Sequence, residues 1–268
     1  MILFERLSEC LGDEVMLFGF VGERASSYKM ALKCKGLPEF SGKASRMKEF
    51  LSLLSLAWDN RVYRRELEAR EKQKLGGFTW YRSLKRAMTR TYRWKGPFAL
   101  SRRARSKIEL PKGDLIYGET PIATAYDLLL KVGVDQADHV VECGGGSSIF
   151  SLVAVSAFGC RVTTLEIVPD FVTKTREVTS FLGLERLRVR CHDILHDPIP
   201  EGTLYYLTGT TFSQESWSKL QRQMASAPVG AKAISLSVAL DTKAWELIET
   251  LALPFSWGEN TVHIHRRI

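Results

Sequence analysis

Between His139 and Asp170 the chain reads HVVECGGGSSIFSLVAVSAFGCRVTTLEIVPD: an apolar run closed by three glycines, a second apolar run of helical length, and a β-branched run ending in an acid. A short apolar run bounded by turn residues marks a buried strand, whereas the longer one suits a helix. The pattern therefore predicts a strand, a glycine turn, a helix over Ser148–Phe158 and a second strand, the βαβ unit of a nucleotide-type fold. The alternation continues downstream. A helix over VPDFVTKTREVTSFLGL ends near Gly183, LRVRCHDIL gives a third strand with Asp193 at its exit, and TLYYLTG gives a fourth at Thr203–Gly209. A helix over Ser213–Met224 and a fifth strand, AKAISLSVAL, follow. The end, PFSWGENTVHIHRRI, reads as two short extended runs around a Gly-Glu-Asn turn, a closing antiparallel hairpin.

Upstream of this alternation the period is helical. LPEFSGKASRMKEFLSLLSLAWDN places Met47, Phe50, Leu51, Leu54 and Trp58 on one face behind a serine start signal, as in a packed helix of an accessory subdomain. RVYRRELEARE continues it with acids and bases three to five residues apart, a solvated face, and Gly76–Gly77 break it. IELPKGD at Ile108–Asp114 reads as a linker, so the chain divides into a basic, mainly helical region, residues 1–110, and an α/β domain, residues 111–268. Early in that domain Thr120 precedes Pro121, which predicts a helix with Thr120 as its N-cap and leaves Tyr117, Gly118 and Glu119 in the loop ahead of it.

Charge adds a distinction that hydrophobicity does not make. Of the net +8, residues 1–110 hold 24 Lys+Arg against 12 Asp+Glu, and the remainder holds 14 against 18. Ten Lys and Arg lie between Arg82 and Lys107 with no acid among them, interleaved with aromatics that include Trp80, Tyr81, Tyr92, Trp94 and Phe98. Bases release counterions from a polyanion and rings stack on nucleobases, so Arg82–Lys107 suits a nucleic acid or an acidic protein. The other reading is an amphipathic connector whose rings pack on the neighbouring domain while its charges face water. The five cysteines, Cys10, Cys34, Cys143, Cys160 and Cys191, lack the spacing of a zinc site or a disulfide framework, so no metal and a reducing cytoplasm are expected. VMLFGFV at Val15–Val21 is too short for a bilayer span, so no membrane anchor is expected.

The glycine turn separates two cofactors. A dinucleotide fingerprint needs G-x-G-x-x-G, but counting from Gly144 the last position is Ile149. Instead an acid, Glu142, stands two residues ahead of Gly144, and the next strand ends in Glu166, twenty residues after Gly146, where a carboxylate can accept both ribose hydroxyls. That arrangement is similar to S-adenosylmethionine methyltransferases, and it implies S-adenosyl-L-methionine as cofactor. Asp193 at the third strand's exit suits the adenine amine or a loop cap. Chemistry at the carboxyl ends of the strands would place Thr208-Gly209-Thr210-Thr211-Phe212 before the methyl group.

Y-G-E-T before a helix, V-V-E-C-G-G-G after it, a strand-end Glu, H-D-I-L, and a terminal S-W-G…V-H-I-H-R-R-I together resemble the disruptor-of-telomeric-silencing family of histone-lysine methyltransferases. Small bacterial, archaeal and mitochondrial lysine methyltransferases share the Y-G-E entrance. The resemblance covers about Ile116–Ile268. It implies a seven-stranded, mostly parallel, Rossmann-like class I methyltransferase sheet with helices on both faces. It also implies that Tyr117, Glu119 and Thr120 fold over the cofactor, that Glu142, Gly144 and Gly146 hold its amino-acid end, and that Glu166 holds the ribose. Asp193 and Ile194 would take the adenine, and Trp257 would border the acceptor channel. Two positions depart from the pattern: Thr208–Phe212 replaces an Asn-Asn-Phe-like motif, and Ile149 replaces a glutamine.

The expected reaction is direct displacement of methyl onto a protein lysine amine. A dry aromatic channel built by Tyr117, Phe212 and Trp257 would favour the neutral amine over its charged form. His192, His263 and His265 are candidate bases, although alternation puts the last two on one strand face, as structural residues would be. The alternatives are a nucleic-acid or small-molecule acceptor, aminopropyl or aminobutyrate transfer, and a non-catalytic cofactor-binding module.

Overall fold

The computed structural model describes residues 43–105, 108 and 116–268. The expected helices within residues 1–42, the boundary near residue 110, and the side chains of Met47, Phe50, Leu51 and Leu54 lie outside the described residues. One sheet organises the rest. Its strands are β1 (His139–Cys143), β2 (Arg161–Glu166), β3 (Leu187–Cys191), β4 (Leu204–Leu207), β5 (Lys232–Leu236), β6 (Trp245–Phe255) and β7 (Gly258–Arg267). They lie in the order β3-β2-β1-β4-β5-β7-β6, with β1 to β5 parallel and β7 antiparallel to both neighbours. β1 pairs with β2 on one side and β4 on the other, so strand order reverses there, and a crevice opens at the carboxyl ends. All of β1 beyond His139 is buried, as a parallel strand between two neighbours must be.

The helices are α1 (Lys43–Leu75), α2 (Thr79–Thr91), α3 (Pro97–Arg105), α4 (Ile122–Lys131), α5 (Ile149–Val153), α6 (Pro169–Leu182) and α7 (Gln214–Met224). Where one helix was expected over Ser148–Phe158, α5 is a short α-helix that widens into a π-helical turn at Ala154–Phe158. Leu128 and Leu129 of α4, Phe150 and Leu152 of α5, and Val172 and Val178 of α6 fill one side of the sheet. Leu75, Leu84 and Ala87 of the basic N-terminal helices belong to that same core. On the other side Trp217 and Leu220 of α7 pack with Val141, Leu165, Tyr205 and Trp245. The crossovers after β3 and after β5 contain no helix, so α7 is the one helix on this second side among the described residues.

Three local expectations change. Thr120 is not the cap of α4: its hydroxyl lies 2.7 Å from the Tyr206 hydroxyl, and the helix begins at Ile122, whose N–H donates to Glu71 of α1 at 2.9 Å. The terminal hairpin turns at Ser256-Trp257 rather than at Gly-Glu-Asn, and its strands run back to Trp245. Trp58, expected on a packed face, is 64% exposed. Among the described residues no helix is long and apolar enough to cross a membrane, and no cluster of ligands could hold a metal ion.

Glu71 ties α1 and α2 to the domain. Its carboxylate is buried and accepts from the Ile122 N–H and from the Tyr81 hydroxyl at 3.1 Å, with Lys85 at 3.4 Å. Removing it strands two buried donors. Glu71→Ala is expected to lower the unfolding free energy by about 2–3 kcal/mol. Lys85→Ala, which removes the more exposed partner, should lower it by less than about 1 kcal/mol. Denaturant titration of the two variants measures the difference; equal losses would remove Glu71 from this role.

Candidate active site

The glycine turn after β1 is built by exclusion. Gly144 and Gly146 have φ of +82° and +52°, in the left-handed region that glycine adopts without strain. A Cβ on Gly146 would stand 2.6 Å from the Tyr117 ring. The N–H groups of Gly144 and Gly145 donate to the Leu165 carbonyl at 2.9 and 3.1 Å, which fixes the turn against β2. β2 then delivers Glu166. Its carboxylate accepts from the Gly146 N–H at 2.5 Å and the Val168 N–H at 2.7 Å, holding the turn and the start of α6 together.

Tyr117 is buried between Phe171, stacked at 5.0 Å between centroids, and Phe98 of α3, edge-on at 5.0 Å. Its hydroxyl oxygen lies 2.7 Å from a Glu119 carboxylate oxygen and 2.6 Å from Ser147 Oγ. Having one proton, the phenol donates it to the carboxylate. The ring of Trp257 stacks on Phe255 and covers Gly118, where a Cβ would meet it at 2.3 Å. Thr120 reaches Tyr206, whose ring stacks face to face on Phe150 at 3.8 Å. Thr208 donates to the carbonyls of Cys143 and Gly144, so β4 is also fastened to the turn.

These contacts line a cleft at the carboxyl ends of β1 to β4. Tyr117, Glu119, Thr120, Glu142, Gly144, Gly146, Glu166, Asp193, Ile194, Phe212 and Trp257 all line it. Asp193 both lines the cleft and caps its own loop, accepting from the Leu195 N–H at 2.9 Å and lying 2.7 Å from His196 Nδ1. Ser101 and Ser147 also line the cleft and were not anticipated. Ser147 follows the glycines directly, so its neighbourhood was legible, whereas Ser101 arrives only through the packing of α3. His263 and His265 lie elsewhere. His265 is buried with its Nε2 accepting from the Leu240 N–H at 3.3 Å, and burial together with His263 pushes its pKa down to about 4.

The cleft's electrostatics are one-sided. Among the described residues four carboxylates line it and no lysine or arginine does. Burial raises the pKa of Glu119, Glu142 and Glu166, and Glu142 is pushed up to about 8 because its contacts, 3.4 Å from the Ser151 N–H and 3.5 Å from the Thr164 hydroxyl, are too long to offset desolvation. His192 Nε2, at the adenine end expected from sequence, is buried without a hydrogen-bond partner.

No protein-family profile and no curated protein matches the chain. Solved structures do match its fold. TrmN from Thermus thermophilus aligns with a TM-score of 0.52 at 17% identity over 60% of this chain, and the match spans 55% of the TrmN chain. An RNA methyltransferase from Salinibacter ruber in complex with S-adenosyl-L-homocysteine aligns at 24% identity and a TM-score of 0.46, over 54% of this chain and 90% of that one. A geranyl diphosphate methyltransferase in complex with GPP and sinefungin aligns at 12% identity and a TM-score of 0.46, over 55% and 79%. The fold is the Rossmann-like class I methyltransferase fold.

Because Glu142 keeps a proton in the folded chain that the unfolded chain releases near 4.5, it contributes stability below that pH and loses it as pH rises through about 8. Glu119 and Glu166 act with the same sign. Glu142→Gln should therefore flatten the decline of melting temperature between pH 5 and 8 and leave the ligand-free protein more stable than wild type at pH 8. Thermal melts across that range measure it; parallel curves would show that Glu142 is ionised throughout.

Proposed function

We propose that the protein is an S-adenosyl-L-methionine-dependent methyltransferase. The observation that carries this reading is the cleft at the strand-order reversal, lined among the described residues by four carboxylates and no lysine or arginine. A pyrophosphate-bearing dinucleotide would place anions there, against buried acids. Adenosylmethionine brings a sulfonium and an ammonium, both cations, and an adenosine with donors and acceptors. The residues present fit it. Glu142 and the turn at Gly144–Gly146 suit the amino-acid end, Glu166 the ribose hydroxyls, and Asp193 with Ile194 the adenine, where His192 Nε2 is left wanting a partner. Bound adenosylmethionine supplies an electrophilic methyl group. The chain's own task is alignment and the exclusion of water.

For the acceptor, the first reading is a protein lysine amine, supported by the Y-G-E-T and S-W-G segments meeting at the cleft mouth, where Trp257 covers Gly118. Nitrogen then forms its bond to carbon as the sulfur–carbon bond breaks, and the amine must arrive without its proton. The half-buried carboxylate of Glu119, whose pKa desolvation raises, lines the cleft and is the group assigned to take that proton on this reading. The nucleic-acid reading has its own support. In α2, Tyr81, Leu84 and Ala87 are buried while Arg82, Arg86 and Arg90 face water, and Trp94 beyond the helix is 86% exposed. The rings at Tyr81 and Phe98 thus pack inward as a connector's would, while much of the charge stays available.

Glu166→Ala should weaken adenosylmethionine binding at least about tenfold in calorimetry, the loss of a charge-assisted hydrogen bond; unchanged affinity would displace the ribose from β2. Incubation with a lysate and mass analysis of the spent cofactor decides the reaction. S-adenosylhomocysteine is expected, methylthioadenosine would mean aminopropyl or aminobutyrate transfer, and intact cofactor would mean a binding module.

A further inference from the structure

We infer that the exposed arginines on one side of β3 and at the amino end of β2, Arg188, Arg190 and Arg161, form a docking surface for the phosphate backbone of a single-stranded nucleic acid. The placement follows from the strand's period of two. Leu187 and Val189 of β3 are buried in the core beneath α6, so Arg188 and Arg190 point to the opposite side and are exposed. In the register Arg188 sits beside Thr163 and Arg190 beside Leu165, and Arg161, two residues before Thr163, shares that side. The connection from β3 to β4 packs Ile194 and Leu195 against Leu165 on this side, and the three arginines stay exposed beside it.

None of the three guanidiniums makes a hydrogen bond or ion pair among the described residues. Their field is nonetheless concentrated: His139, half-buried on β1 in register with Arg161, has its pKa lowered by burial and then by Arg161, Arg188 and Arg190 together. Nearby carboxylates do little to neutralise them. Asp138 accepts from the Thr203 hydroxyl and Glu177 pairs with Lys174, while Glu201 lines a shallow hollow with Arg161 at the strands' amino ends and offsets part of its charge. Residues two apart on one strand are about 6.6–6.8 Å apart, so Arg188 and Arg190 present a regular row of forks, the geometry that grips successive phosphates.

The basic surface continues around the sheet edge and leads to the cleft. Arg176 of α6 donates to the carbonyl of Val189, between the two β3 arginines, and Arg90 of α2 lies over Phe181 at the end of α6. Past Arg190, the chain passes through Cys191 to His192 and Asp193, which line the cleft, so a strand held on β3 runs toward its adenine end. An acidic peptide in extended form repeats its side chains at the same interval, so it is the competing occupant that the poly-glutamate arm below tests. The inference is independent of the proposed reaction, because it is read out as binding.

Fluorescence anisotropy of a labelled single-stranded RNA oligonucleotide, titrated with the full chain over a salt series, tests it. R188Q/R190Q should weaken binding at least about tenfold and make the log–log salt slope shallower by about 1.4, the counterions of two lost phosphate contacts. Both positions are exposed, so melting temperature and adenosylmethionine affinity should stay at wild-type values. Absence of RNA binding by the wild type, an unchanged slope in the double variant, or equally tight binding of a poly-glutamate peptide would overturn the inference. If adenosylmethionine fails to bind while RNA behaves as expected, the proposed reaction falls and the docking surface stands.

Discussion

Glu142 and Glu166 are buried and Glu119 half-buried around one cleft that no lysine or arginine among the described residues lines, and this excess of negative charge is the constraint on which the site depends. Burying an acid without a base is unfavourable unless hydrogen bonds hold its charge or a proton cancels it. Glu166 takes the first course in part, since two backbone N–H groups at 2.5 and 2.7 Å oppose the burial that still raises its pKa. Glu142 takes the second, since its contacts are long and its pKa rises to about 8. A cationic ligand resolves both, and an anionic one aggravates them.

The same cleft explains why the basic N-terminal helices are part of the working unit. Phe98 of α3 packs edge-on against Tyr117, Ser101 contributes to the wall, and Glu71 of α1 holds the first N–H of α4 immediately after the loop that carries Glu119 and Thr120. A displacement of α3 or α1 is felt at Tyr117 and Thr120. The connector reading and the charged-surface reading of this region are therefore compatible: its apolar face builds the wall while its arginines remain outside.

What was legible in the sequence was local. The strand, glycine turn and strand-end acid all fall within residues 139–166, where spacing along the backbone reveals them; that Gly146 packs on Tyr117 and Glu166 returns to the Gly146 N–H are contacts only the fold supplies. The helix over residues 213–224 was equally plain, with Ser213 capping it through the Ser216 N–H. What was not legible depends on distant partners. Thr120 has the chemistry of a cap, but Glu71 occupies that role from 51 residues away, and the threonine is free to meet Tyr206. Ser101 sits in a charge-rich helix with no local mark of a cleft, and the exposed arginines of β3 lie beside a crossover that lacks its helix, which no motif announces.

The central claim is that the cleft is built for a cation at the expense of a buried proton. Calorimetric titration with S-adenosyl-L-methionine at pH 7, repeated in buffers of different ionisation enthalpy, counts the protons that leave on binding. With Glu142 near 8 in the empty cleft, on the order of one proton should be released by the wild type and close to none by Glu142→Gln or on binding of uncharged methylthioadenosine. Binding of adenosylmethionine with no proton released, or a preference for a dinucleotide over it, would contradict the account.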